Sequence, residues 1–259
     1  MPLKKQFKVT VHFTPAHLDE MQLKDRNIVV IDVLRASTTI AAALANGAKE
    51  IIPVSNIESA VKISGSLFGD VTLRAGERNA RMIEGFNLGN SPLEYTPEVV
   101  RGKSIIFMTT NGSAAMVKGR HGKNLVVACF VNISRVIAFL AELKSDFTII
   151  CAGKENNFCI EDAVCAGKII NRLSREVSGG ELLTDDAGSA AAILDKSFGR
   201  TILKMLKNSE HGKLLIDLGF AEDLKVCAGL DTIDVLPVLS GNVIRSQKDE
   251  AGRPVPLNR

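Results

Sequence analysis

Ile28-Val29-Val30-Ile31-Asp32-Val33-Leu34-Arg35-Ala36-Ser37-Thr38-Thr39 begins as a β-branched run and ends in an acid, a base and three hydroxyls. So short an apolar run fits a strand buried on both faces. The alanine-rich segment from Thr38 to Asn46, closed by Gly47, reads as a helix with Ser or Thr at its N-cap. Asp32 and Arg35 then stand at a strand-to-helix junction. In open α/β sheets ligands bind outside the carboxyl ends of the strands, and a helix start offers amide donors and a positive dipole end to an anion. The same pair could equally serve a local purpose, with Asp32 capping the turn and Arg35 bonded to it.

Outward from this stretch the alternation of a βαβ protein continues. Upstream, Phe7 to Phe13 predicts an opening strand and Pro15 to Met21 a short helix. Downstream, Glu50 to Val54 is a strand, and Ser55-Asn56-Ile57-Glu58 has capping-box spacing for a helix to about Ser66. Val71 to Ala75 is a further strand. The segment Gly76 to Pro92, with three glycines, several charges and a closing Asn90-Ser91-Pro92, predicts a long ordered loop with a function. Ser104 to Met108, Leu125 to Cys129 and Phe147 to Cys151 are strands, each followed by a helix. After Ile160 the apolar residues keep helical spacing and put Glu161 and Asp162 in a first turn, where the dipole favours acids in any case. Gly179-Gly180 punctuates the chain. Leu182 to Lys207 reads as two helices broken near Ser197 to Gly199, and Ser209-Glu210-His211-Gly212 opens another. Val226 to Ala228 and Val235 to Leu239 read as strands, and the tail after Gly241, with Arg253-Pro254-Val255-Pro256, as extended or frayed.

The expected architecture is α/β, a layered α/β/α arrangement around a largely parallel or mixed sheet, as one domain or two lobes. Residues 1–178 would form the core carrying the polar junctions, and 179–259 an α/β segment packed on it. The 259 residues are 46% hydrophobic and 24% charged with a net charge of +3. That balance gives no basic face for nucleic acid, and one Tyr with no Trp leaves few stacking platforms. No apolar stretch reaches the roughly 18 to 20 residues that span a bilayer, and the first residues lack a secretory core, so a cytoplasmic protein is expected. Five cysteines without CxxC spacing indicate neither a disulfide framework nor a zinc knuckle, and three of them lie in apolar or small-residue surroundings that suit reduced core thiols. A homo-oligomer is compatible with this composition.

Three strand ends, after Ile31, Met108 and Ile150, deliver polar residues into helix-opening turns. As parallel neighbours, those strands would bring the turns to one edge of the sheet. The inventory is then the acids Asp32, Glu77, Glu161 and Asp162, the cations Arg35, Arg78 and Lys154, and the donors Thr109, Thr110, Asn111 and Ser113. Hard carboxylates without clustered His or Cys suit Mg²⁺, and Mg²⁺ in a cationic, amide-rich pocket suits a small phosphate ester. Glu161 and Asp162 leave their helix about 100° apart, so one of them would ligate fully. Rival phosphate chemistries fit less well. Cys129 to Arg135 has C-x5-R spacing but no glycine in the loop, Leu34 stands where a haloacid-dehalogenase-type site needs its second Asp, and no P-loop motif occurs. His12 and His17 read as surface or packing residues, whereas His211 before Gly212 is a candidate proton donor.

Asp32-Val33-Leu34-Arg35-Ala36-Ser37-Thr38, Gly76-Glu77-Arg78, Gly85 to Pro92, Thr109-Thr110-Asn111-Gly112, and Ala152-Gly153 with Glu161-Asp162 and Ala166-Gly167 together resemble the 2-phosphosulfolactate phosphatase family. Ser209-x-His211-Gly212 and Asp231 to Pro237 resemble its C-terminal motifs, so the match runs in order from residue 28 to about 240. Ala80 stands where that pattern usually has glycine, and Asn87 where it often has an acid. The resemblance implies a Mg²⁺-dependent phosphatase that cleaves 2-phospho-3-sulfolactate to 3-sulfolactate and phosphate in coenzyme M biosynthesis.

On that reading Asp32 and one or both of Glu161 and Asp162 hold Mg²⁺, with Asp32 alternatively a covalent nucleophile. Arg35 and the donors from Thr109 through Gly112 to Ser113 hold the phosphoryl group. Arg78, Arg81 and Lys154 meet the sulfonate and carboxylate, and Ser37, Thr38, Glu77 and Asn90 complete the substrate pocket. The rival is a non-catalytic module that binds a phosphorylated or sulfonated metabolite. It accounts for the cations and donors and leaves the acids without a role.

Overall fold

A computed structural model describes residues 5–66, 71–176 and 180–247. The first half runs β1 (Lys5–His12), α1 (Glu20–Leu23), β2 (Asn27–Ile31), α2 (Ala36–Ala45), β3 (Glu50–Pro53), α3 (Ile57–Ser66), β4 (Thr72–Arg78) and β5 (Arg81–Met82). Then come α4 (Pro97–Val100), β6 (Ser104–Met108), α5 (Gly112–Lys118), β7 (Asn124–Ala128), α6 (Ile133–Leu143) and β8 (Phe147–Cys151). The last stretch holds α7 (Ile160–Glu176), β9 (Gly180–Thr184), α8 (Asp186–Phe198), α9 (Ile202–Asn208), α10 (Glu210–Asp217), α11 (Ala221–Cys227), β10 (Pro237–Ser240) and β11 (Val243–Ser246).

The strands make one sheet in the order β5-β4-β6-β3-β11-β10-β7-β2-β8-β1-β9. The focal run is fully buried, as its lack of polar alternation requires. Val29 and Ile31 face one apolar cluster with residues of α6 to α11, whereas Ile28 and Val30 face another with α1, α2, α4 and α5. A smaller cluster of Ile52, Ile106 and Met108 lies under α3. Helices therefore cover both faces, which is the layered α/β arrangement expected.

The sheet is mixed in an informative way. β7, β2, β8, β1 and β9 are mutually parallel, and so are β4, β6 and β3. Between these blocks the β10–β11 hairpin pairs antiparallel with β7 on one side and β3 on the other. Three antiparallel steps make the two blocks run in opposite directions. β2 and β8 are the parallel neighbours expected, but four strands separate β6 from β2, and β6 points the other way. Its turn reaches the β2 turn because α5 packs directly on β2 and α2.

Several local expectations change. Val226 to Ala228 ends α11, with Leu224 and Cys227 turned inward at helical spacing. Leu182 to Thr184 belongs to β9 rather than to a helix, while the helix break after Phe198 falls where expected. α2 begins at Ala36, two residues early, with Arg35 at its N-cap and no side-chain cap bond. The Gly76 to Pro92 loop is partly a hairpin: β4 continues to Arg78 and returns as β5 through Asn79 and Ala80, at φ 54° and 61°. Ala80 thus occupies a left-handed position, which glycine would hold without strain. After Gly241 the chain forms β11, and the expectation for Arg253 to Pro256 lies outside the described residues, as does Gly179.

Candidate active site

The turn after β2 is built from its own side chains. The Asp32 amide donates to Ser37 Oγ at 2.9 Å, the Ser37 amide returns to the Asp32 carbonyl at 2.9 Å, and Thr38 Oγ1 donates to the Val33 carbonyl at 3.0 Å. Ser37 and Thr38, both fully buried, therefore shape the turn rather than face a ligand. Asp32 Oδ1 accepts from the Ala36 amide at 3.2 Å. Its pKa is raised to about 6, chiefly by burial and also by Glu77 and Glu161, against the opposing pull of His211 and the Ala36 amide.

The β8 turn is tied to this one through Asp162. Its Oδ1 accepts from the Val33 amide at 2.9 Å and its Oδ2 from the Gly153 amide at 3.1 Å, so both oxygens are spent on joining two turns. Burial, reinforced by Asp32 and Glu161, raises its pKa well above the usual carboxylate value, and the two amides oppose that. Glu161, also buried, accepts no hydrogen bond among the described residues, and its Oε1 lies 3.6 Å from His211 Nδ1.

The β6 turn carries a similar device. Thr109 and Ser113 close on each other, with the Thr109 amide donating to Ser113 Oγ at 2.9 Å and the Ser113 amide to Thr109 Oγ1 at 3.0 Å. Glu77 secures this turn to the hairpin: Oε1 accepts from the Thr110 amide at 2.7 Å and Oε2 from the Ala80 amide at 2.8 Å. Asn111 Oδ1 accepts from the Glu155 amide at 2.9 Å, linking the β6 and β8 turns. Gly112 is required by proximity, since a Cβ there would sit 2.5 Å from Asp32 Oδ2 and 2.6 Å from Ala36 Cβ.

Arg35 is buried in the pocket wall. Nη1 meets Asp223 Oδ2 at 2.5 Å, Nη2 donates to the Ala80 carbonyl at 3.2 Å, and the guanidinium lies 4.2 Å from the Phe220 ring centroid. Asp223 also accepts from Ser91 Oγ at 2.6 Å. Neither Asp223 nor Phe220 was signalled in the sequence, where no motif falls between the helix opened at Ser209 and the strand expected at Val226 to Ala228.

One pocket gathers Asp32, Arg35, Glu77, Asn90, Thr110, Asn111, Lys154 and His211 from the residues expected, and adds Asn79, Ala80 and Glu155. Lys154 Nζ is bonded to Glu210 Oε1 at 2.9 Å, which raises its pKa. Arg78 and Arg81 pair in register across the hairpin, exposed and outside this pocket's lining. Cys129 and Arg135 form no phosphate loop: the thiol is buried and pushed up to about 12, and the guanidinium is bonded to Asp234. Asn90 Oδ1 is a buried acceptor with no donor, in the same pocket wall. That orphaned oxygen and Asp32 share this pocket, and Glu161 borders the adjoining cavity with Cys159 and His211; the oxygens of Asn90, Asp32 and Glu161 are of the hard kind that Mg²⁺ takes.

Acids beside cations where three α/β turns meet define a hydrolase-type site for an anionic ester. Comparison with known proteins gives the particular kind. A family model described as 2-phosphosulpholactate phosphatase matches residues 12–242, and the chain belongs to this family of phosphoric monoester hydrolases. A protein of Caldanaerobacter subterraneus subsp. tengcongensis is 40% identical over 232 residues, covering 90% of this chain and 95% of its own. One of Thermotoga maritima is 41% identical over 218 residues, covering 84% and 91%. One of Gloeothece citriformis is 37% identical over 232 residues, covering 89% and 95%. Each bears the name "Probable 2-phosphosulfolactate phosphatase". No helix among the described residues is long and apolar enough to cross a membrane.

Proposed function

We propose that this chain is a Mg²⁺-dependent phosphatase that hydrolyses 2-phospho-3-sulfolactate to 3-sulfolactate and phosphate, as in coenzyme M biosynthesis in the cytoplasm. The observation that carries the reading is the meeting of the turns after β2, β6 and β8 around one pocket walled by Asp32, Arg35 and Lys154. The names of the relatives support the substrate.

Asp32, Glu161 and the Asn90 amide oxygen would hold Mg²⁺, with water completing its shell, and Asp162 would fix the turns that carry them. When bound, the ion supplies charge screening at the phosphoryl oxygens and a more acidic water. Arg35, anchored by Asp223 and the Ala80 carbonyl, directs its remaining N–H donors at the phosphoryl oxygens, and a preoriented fork loses little entropy on binding. Lys154 meets the sulfonate or carboxylate, and Arg78 and Arg81 at the hairpin surface attract the polyanion from solution. Water attacks phosphorus as the bond to the C2 oxygen breaks. His211, oriented by Glu161, protonates the departing alkoxide, and the proton lost by water leaves with phosphate and solvent.

The test is phosphate release from 2-phospho-3-sulfolactate and a panel of phosphorylated 2-hydroxy acids, with and without Mg²⁺. No release from any of them overturns the reading in favour of an anion-binding module. Hydrolysis in labelled water with inversion at phosphorus supports direct attack, whereas an acyl-phosphate trapped on Asp32 transfers the nucleophile's role to that carboxylate.

A further inference from the structure

We propose that Cys159, Glu161 and His211 form a binding site for a transition-metal ion of the Zn²⁺ class, adjoining the phosphate pocket. Cys159 and Glu161 flank Ile160 at the start of α7, and His211 is the second residue of α10. Their ligand atoms, a sulfur, a carboxylate oxygen and an imidazole nitrogen, all lie within 4.8 Å of one another. Among the described residues no other three His, Cys, Asp or Glu side chains meet in this way.

Donor chemistry sets the class of ion. Mg²⁺ takes hard oxygens and has no affinity for a thiolate, whereas Zn²⁺ accepts sulfur, nitrogen and oxygen together. Three protein ligands leave its fourth position open. Ligand distances of about 2.0–2.3 Å put tetrahedral ligand atoms roughly 3.3–3.8 Å apart, so the three atoms need to close by no more than about 1.5 Å. A cavity bordered by Lys154, Phe158, Glu210 and the three ligands opens on the group and admits the ion with its fourth ligand. Phe158 packs edge-on against Phe13 with ring centroids 5.2 Å apart, which steadies the segment carrying Cys159. On binding, the thiol proton leaves to solvent as the sulfur–metal bond forms.

His211 borders both this cavity and the phosphate pocket. An ion held here withdraws His211 and Glu161 from hydrolysis, so the site is inhibitory. The inhibitory consequence rests on the phosphatase reading, and the binding itself does not.

The test titrates the metal-free, reduced full-length protein with Co²⁺, a spectroscopic substitute for Zn²⁺. The wild type is expected to develop a sulfur-to-cobalt charge-transfer band in the near ultraviolet and strong tetrahedral bands in the visible, both bleached by Zn²⁺. Cys159→Ser loses the charge-transfer band, and His211→Ala weakens Co²⁺ binding at least roughly tenfold, with circular dichroism confirming the fold of each. A wild type without the band, or a Cys159→Ser protein that keeps it, overturns the site. With saturating Mg²⁺, Zn²⁺ should inhibit the wild type and be required at tenfold or higher concentration to inhibit Cys159→Ser; equal inhibition overturns the regulatory role. An intact cobalt spectrum without hydrolysis of any substrate overturns the phosphatase reading and supports the metal site.

Discussion

Replacing Asp223 by Asn should cost more stability than an ordinary polar substitution, and the reason lies in what it strands. Arg35 and Asp223 are each 2% exposed, so solvent screening cannot replace the lost charge. The carboxylate makes two hydrogen bonds, to Arg35 at 2.5 Å and to Ser91 Oγ at 2.6 Å. Asn keeps an acceptor for Ser91 but no charge for the guanidinium. Breaking a buried pair from one side costs about 3–5 kcal/mol, because an uncompensated buried ion remains. Partial support from the Ala80 carbonyl and the Phe220 ring places Asp223→Asn at the lower end, near 3 kcal/mol. At about 2–4 °C per kcal/mol for a chain near this size, the melting temperature falls by roughly 6–12 °C. Thermal melts followed by circular dichroism, with urea titration as a second measure, read the loss. In the same preparation kcat should fall more than KM rises, since Arg35 loses aim while Lys154 is untouched. The double variant Arg35→Met/Asp223→Leu should recover most of the stability and none of the activity. A loss below about 1 kcal/mol in Asp223→Asn would refute the argument that this pair is a buried, mutually dependent unit.

The Asp32 pKa, raised from an ordinary 3.8 to about 6, makes the metal-free fold bind more protons than the unfolded chain between those values. Stability of the metal-free protein should therefore fall as pH rises through that interval, and melts of Asp32→Asn should show a flatter profile there. Gly112→Ala drives a methyl into Asp32 and Ala36, so phosphate release should drop at least tenfold with a stability loss of about 1–3 kcal/mol, read by steady-state assay and urea titration. Asn90→Ala removes the orphaned oxygen, and the Mg²⁺ concentration giving half-maximal activity should rise by about tenfold while the melting temperature of the metal-free protein holds or rises.

Local chemistry was legible where a short stretch determines its own structure. The short, mostly apolar runs at 28–31, 104–108 and 147–151 specify buried strands by themselves, and the polar residues behind them fall in turns because the pattern stops there. Pairing across the chain was not legible. The apolar triplet Val226 to Ala228 is too short to separate strand from helix, and its period shows only beside Leu224. Opposed strand directions follow from where the last hairpin inserts, which no window of sequence encodes. At the site the acids Asp32, Glu77, Glu161 and Asp162 were found as a set, yet their duties differ by hydrogen bonding. Asp162 and Glu77 spend their oxygens on backbone amides, whereas Glu161 keeps its own. Asp223 went unremarked, and Cys159 was read only as one of five cysteines without metal spacing, because neither the Glu222-Asp223 pair nor a single thiol carries a pattern until the fold supplies its partners.

The hairpin of β10 and β11 has a consequence for the order in which the protein can be completed. Residues 237–246 occupy the middle of the sheet, although they are read after every other described element. Until they arrive on the ribosome, β7 and β3 each present an unpaired edge, and the two halves have no strand between them. Such closure is a contact of very long sequence separation, which slows folding and leaves sticky edges during synthesis. A chain stopped at Leu236 should therefore aggregate rather than lose a dispensable tail, and added peptide spanning 237–247 should partly rescue its solubility.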